Sequence, residues 1–61
     1  MHYVVYYMNF ESTQSEAFHS YNEAHKRAVE LATKCKDYDY VLIYKVDNNN
    51  KEQLIRILAS Y

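Results

Sequence analysis

A chain with neither glycine nor proline has few places to bend, and this constrains the 61-residue sequence more than any other feature. A backbone position of positive φ normally falls to glycine, which has no Cβ to clash. Without it the position passes to Asn or Asp, the next most tolerant residues. Bends are therefore expected at Asn9, at Asp37 and within the run Asp47-Asn48-Asn49-Asn50. The same absence excludes every glycine-dependent phosphate loop. The heavy use of Asn, Lys, Tyr and Ile fits an AT-rich coding sequence, such as low-GC bacteria or their phages carry.

The segments between the bends have clear characters. Residues 2–8, His-Tyr-Val-Val-Tyr-Tyr-Met, are β-branched and aromatic, which predicts a strand. They show no polar alternation, the pattern of a strand covered on both faces. Residues 9–14 read as a polar loop apart from Phe10. Residues 15–19 read either as loop or as a short return strand, with Ala17 and His19 on one face and Phe18 on the other. The strand is favoured, because Phe18 lies just before a helix cap.

That cap is Ser20-Tyr21-Asn22-Glu23, which matches a capping box: the Ser20 hydroxyl accepts from the Glu23 amide and the Glu23 carboxylate reaches back to the Ser20 amide. A helix is expected over 21–36. Its apolar stripe is Tyr21, Ala24, Ala28, Leu31, Ala32 and Cys35, at spacings of three and four. Its other face carries Glu23–Arg27 and Glu30–Lys34 as i,i+4 pairs. Lys34 and Lys36 lie at the negative end of the helix dipole.

Two further strands are expected at 39–46 and 52–59, joined by the Asn-rich hairpin. A three-residue loop at Asn48–Asn50, with one Asn left-handed, sets Ile43 opposite Ile55 and Val41 opposite Ile57. An even loop sets Lys45 opposite Glu52 and Leu42 opposite Ile55, and exchanges the roles of the two faces. The odd loop is preferred because it groups the β-branched residues. The fold class is α+β: a small antiparallel sheet of three or four strands with one helix packed on one face, in a single domain.

In that register one face of the hairpin carries Val41, Ile43, Ile55, Ile57 and Ala59, and the other carries Tyr40, Leu42, Tyr44, Leu54, Arg56 and Leu58. Both are apolar, whereas a sheet covered on one side alternates apolar with polar. One helix covers one face. The second face, rich in Tyr and Leu with an Arg in it, has the composition of an interface core. Domains this small have thin cores and lean on disulfides, metals or association. Cys35 is the only cysteine, so association is the support that remains. The expected function is a non-enzymatic protein-binding module, self-associating as a homodimer through Tyr40, Leu42, Tyr44, Leu54, Arg56 and Leu58, in the manner of a bacterial or phage accessory or inhibitor protein.

Other chemistries find little support. His2, His19, His25 and Cys35 are scattered, and His25 and Cys35 point in different directions on a helix, so neither a metal site nor a cofactor is expected. Ser12, Thr13, Ser15 and Ser20 have no base and acid at a catalytic spacing, and the carboxylates are spread over loops and solvent faces, so no enzyme and no small-molecule substrate are expected. A second reading is a nucleic-acid-binding regulator using Lys26, Arg27, Lys34 and Lys36, with tyrosines stacking on bases. The net charge of −1 gives it a weak electrostatic footprint. A lone thiol, no basic leader and no long apolar stretch lead to the expectation of a cytoplasmic chain that does not engage a membrane.

Overall fold

The computed structural model describes residues 1–34 and 38–59. In chain order the elements are β1 (His2–Met8), β2 (Thr13–Phe18), α1 (Tyr21–Lys34), β3 (Tyr40–Val46) and β4 (Glu52–Ala59). The strands form one sheet in the order β2-β1-β3-β4, with every neighbouring pair antiparallel. The helix packs on one face of it, so the α+β class read from the sequence holds.

The core follows from alternation along the two central strands. Val5 and Tyr7 of β1 and Val41 and Ile43 of β3 point to the helix, where they meet Ala24, Ala28 and Leu31. The alanines let α1 approach the sheet closely, and Leu31 fills the space between. Tyr3, Phe18, Tyr21, Ala32, Tyr38 and Leu58 close the margin of this cluster. The helix stripe is as its spacing predicts. Cys35, Lys36 and the bend at Asp37 lie outside the described residues.

Four local expectations change. The return strand starts at Thr13, two residues earlier than its apolar content suggests, because pairing with Tyr7 and Met8 extends it into polar sequence. Asn9 closes the preceding loop, its side-chain oxygen accepting from the Glu11 and Ser12 amides at 2.9 Å each. At the helix start the Ser20 hydroxyl accepts from the Glu23 amide at 3.3 Å. The Glu23 carboxylate, however, accepts a hydrogen bond from the Ser20 hydroxyl at 3.1 Å instead of reaching the Ser20 amide. Arg27 pairs with Glu16 of β2 at 3.2 Å and with Glu30 at 3.7 Å, so the expected Glu23–Arg27 pair gives way to a contact between elements.

The hairpin contains the fourth change. Asn50 is left-handed at φ 63°, and Asp47 and Lys51 flank a three-residue loop. The Asp47 carboxylate organises it, accepting from the Asn49 and Lys51 amides at 2.8 and 3.0 Å. Near the turn the register is the preferred one, with Val46 opposite Glu52 and Tyr44 opposite Leu54. Two irregularities then intervene, and Ile43 lies opposite Arg56, Leu42 opposite Ile57 and Val41 opposite Ala59. The expected Ile43–Ile55 and Val41–Ile57 pairs do not form. Each shift leaves one additional residue in β4, first Ile55 and then Leu58, as in a β-bulge.

Candidate functional site

The side of the sheet away from the helix is the candidate site. Residues directly opposite in an antiparallel pair share a face, so the registers define its surface. Val4, Tyr6 and Met8 of β1 lie beside Tyr44, Leu42 and Tyr40 of β3. Leu54 and Ile57 of β4 extend the surface past Tyr44 and Leu42. Thr13, Ser15 and Ala17 of β2 form its polar margin opposite Met8, Tyr6 and Val4. No described element lies over this face.

The face is structured internally. The Tyr6 ring stands edge-on to Tyr44 with centroids 5.1 Å apart and an interplanar angle of 85°. Its hydroxyl donates to the Glu52 carboxylate at 2.5 Å, reaching from β1 across β3 to β4. That hydrogen bond, with burial adding to it, raises the Tyr6 pKa above the ordinary phenol value, so the hydroxyl keeps its proton. Tyr6, Met8, Leu42, Tyr44 and Glu52 line a shallow depression of about 200 Å³. Leu54 is 43% exposed and Ile57 55%, large values for such side chains.

Of the six residues expected on this surface, Tyr40, Leu42, Tyr44 and Leu54 come together on it. Arg56 and Leu58 do not. Arg56 opposes Ile43, whose side chain lies beneath the helix, and Leu58 packs against the core cluster on the helix side. The two register shifts in β4 exchange them for Ile57. Val4, Tyr6 and Met8 are additional members, and the unbroken apolar run of residues 2–8 is the signal that points to them.

The basic residues of the helix are arranged differently. Lys26 is exposed. Arg27 is half-buried, its guanidinium holding Glu16 through both Nε and Nη2. The Lys34 side chain and Lys36 lie outside the described residues. Tyr7 completes the Glu16 site, donating its hydroxyl to Oε2 at 2.7 Å. The Tyr7 and Arg27 hydrogen bonds, in that order, hold the Glu16 carboxyl below its ordinary value. This is an ion pair tying β2 to α1.

Among the described residues no group of three or more His, Cys, Asp or Glu is placed to hold a metal ion, and no helix is long and apolar enough to cross a membrane. No protein-family model, curated protein or solved structure matches the chain.

Proposed function

We propose that this chain is a non-enzymatic protein-binding module that self-associates by stacking its open sheet face on the same face of a second copy. The supporting observation is the row of Val4, Tyr6, Met8, Leu42, Tyr44, Leu54 and Ile57 on a face that no described element covers. Antiparallel sheets with one wet side turn polar residues to water, and inside its polar margin this face presents Val4, Tyr6, Met8, Tyr40, Leu42 and Tyr44 instead. Tyr6 and Tyr44, fixed by their mutual contact and by Glu52, present aromatic area that loses little conformational freedom on binding.

Size is consistent with a second copy as the occupant. The 32 × 21 Å outline of the molecule caps such a face at about 670 Å², so two faces bury at most roughly 1,300 Å² together, at the lower end of the class of stable specific interfaces. Glu52 lies at one end of the face near the hairpin, so a two-fold axis through its middle keeps the two copies' carboxylates apart.

The test is solution mass by light scattering across a concentration series, with far-ultraviolet circular dichroism on the same samples. Tyr44→Glu and Leu54→Glu each put a charge into the stacked layer, and each is expected to retain the folded spectrum while losing the face-to-face contact. Unfolding of both variants would show these side chains to be core. An unchanged mass with intact spectra would remove the face as the contact.

A further inference from the structure

The sheet has two edges, and they are built differently. β4 is interrupted twice by additional residues and has Lys51 just before it and Arg56 within it. Bulges and cations are devices that keep an edge from pairing with another chain. β2 has neither: its six residues run in unbroken register with β1 and include no Lys, Arg or Pro. Its one charge, Glu16, is held by Arg27 and Tyr7 on the helix side.

The direction of its unpaired backbone groups follows from one hydrogen bond. The Asn9 amide donates to the Ser12 carbonyl at 3.0 Å. In an antiparallel ladder, pairs that exchange hydrogen bonds alternate with pairs that do not. With this phase Tyr7–Gln14, Val5–Glu16 and Tyr3–Phe18 are the bonded pairs. The N–H and C=O groups of Thr13, Ser15 and Ala17 therefore point away from the sheet, along an edge whose side chains there are small.

We propose that β2 is a second self-association site, pairing antiparallel with β2 of another copy about a two-fold axis at Ser15. Such an axis stands normal to the sheet and passes between a residue and its own copy. Centred on Ser15, it sets Thr13 opposite Ala17 and Gln14 opposite Glu16, so each Gln14 amide meets a carboxylate. Roughly six backbone hydrogen bonds form, two for each bonded pair. Centring on Glu16 sets that carboxylate against its own copy, and centring on Gln14 takes Phe18 past the end of the partner strand. The result is a continuous eight-stranded sheet with both helices on one side and both apolar faces on the other. The face axis lies in the plane between the stacked sheets; when it runs across the strands in line with Ser15 it meets the edge axis at right angles, and the two contacts together close a four-chain assembly.

Light scattering on four chains separates the two contacts. Ser15→Pro removes an outward N–H that β1 does not use, at an edge position where proline is tolerated. Wild type is expected to approach four chains at high concentration, Ser15→Pro to stop at two, Leu54→Glu to stop at two, and the double variant to stay at one. A Ser15→Pro mass equal to wild type, with the folded spectrum kept, would overturn the edge contact and leave the face contact standing. A Leu54→Glu chain that is a monomer would do the same. If Ser15→Pro unfolds, Ser15→Lys answers instead: it sets like charges opposite each other, so association should weaken at low salt and return at high salt. A salt-independent mass equal to wild type would overturn the proposal.

Discussion

Tyr6 and Tyr7 are neighbours in sequence and point to opposite faces of the sheet, where their surroundings are near copies. Each hydroxyl donates to a carboxylate, Tyr6 to Glu52 and Tyr7 to Glu16. Each ring stands edge-on to another tyrosine, Tyr6 to Tyr44 and Tyr7 to Tyr38 at 4.9 Å. They differ in what lies beyond. Tyr7 is 7% exposed beneath α1, and its carboxylate is neutralised by Arg27. Tyr6 is half-buried with no described layer above it, and Glu52 has no ion-pair partner among the described residues. The sheet is prepared alike on both sides and covered on one, which is the arrangement expected if the second cover comes from another molecule.

The largest difference between the faces is expected on truncation. Leu31 is 2% exposed and wedged between α1 and the sheet. Leu31→Ala should cost about 2–5 kcal/mol, lost burial plus the cavity left behind. In a domain this small that is a large share of total stability, so the variant should be substantially unfolded at room temperature. Leu54→Ala, at 43% exposure, should cost under about 1 kcal/mol in the dilute, monomeric chain. Thermal melts of both at low concentration make the comparison. Equal losses would mean that the open face is already a core in the monomer.

A smaller effect is expected at the hairpin, which sets the register for both faces. Asn50 occupies the left-handed region, where a β-branched residue is strained. Asn50→Val should destabilise by about 1–2 kcal/mol. Asn50→Gly should be neutral or slightly stabilising. Chemical denaturation of the three chains distinguishes them. No loss in the Val variant would mean that the loop reaches the same register through another turn.

How legible each part was depends on what sets it locally. The loop at Asn48–Asn50 was readable because the chain contains no glycine, and one Asn had to take the left-handed position. The bulges in β4 were not. They place ordinary residues, Ile55 and Leu58, out of register, and nothing in an alternating apolar run distinguishes a bulged residue from a paired one. That is why alternation alone places Arg56 and Leu58 on the open face, whereas the bulged register turns them to the helix side and brings Ile57 out. The Arg27–Glu16 pair was hidden for a different reason. Glu16 lies within the expected return strand, but it meets Arg27 because the pairing of Val5 with Glu16 turns it to the helix side, and no local pattern records that register between distant segments. Helix α1 needed no such context, since its cap and its stripe of Ala24, Ala28 and Leu31 are local patterns.

The smallest effect belongs to the ion pair that only the covered face possesses. Glu16 is hydrogen-bonded by Tyr7 and Arg27, and both hold its carboxyl below the ordinary value of 4.5. A lowered folded value means that the unfolded chain binds the proton first as pH falls. The contribution is thus fully present above about pH 4.5 and lost as pH drops through the lowered folded value. Because the Arg27 and Glu16 side chains are 38% and 33% exposed, solvent screening limits it, and Glu16→Gln should cost about 0.5–1 kcal/mol at neutral pH. The informative quantity is the difference between wild type and variant across pH. Melts between pH 3 and pH 7 should show a gap that is open at neutrality and narrows on the acid side, since protonated Glu16 resembles Gln in charge. A gap of constant width would assign the loss to altered packing around Tyr7 instead of to the charge, and the covered face would then differ from the open one only in having a helix above it.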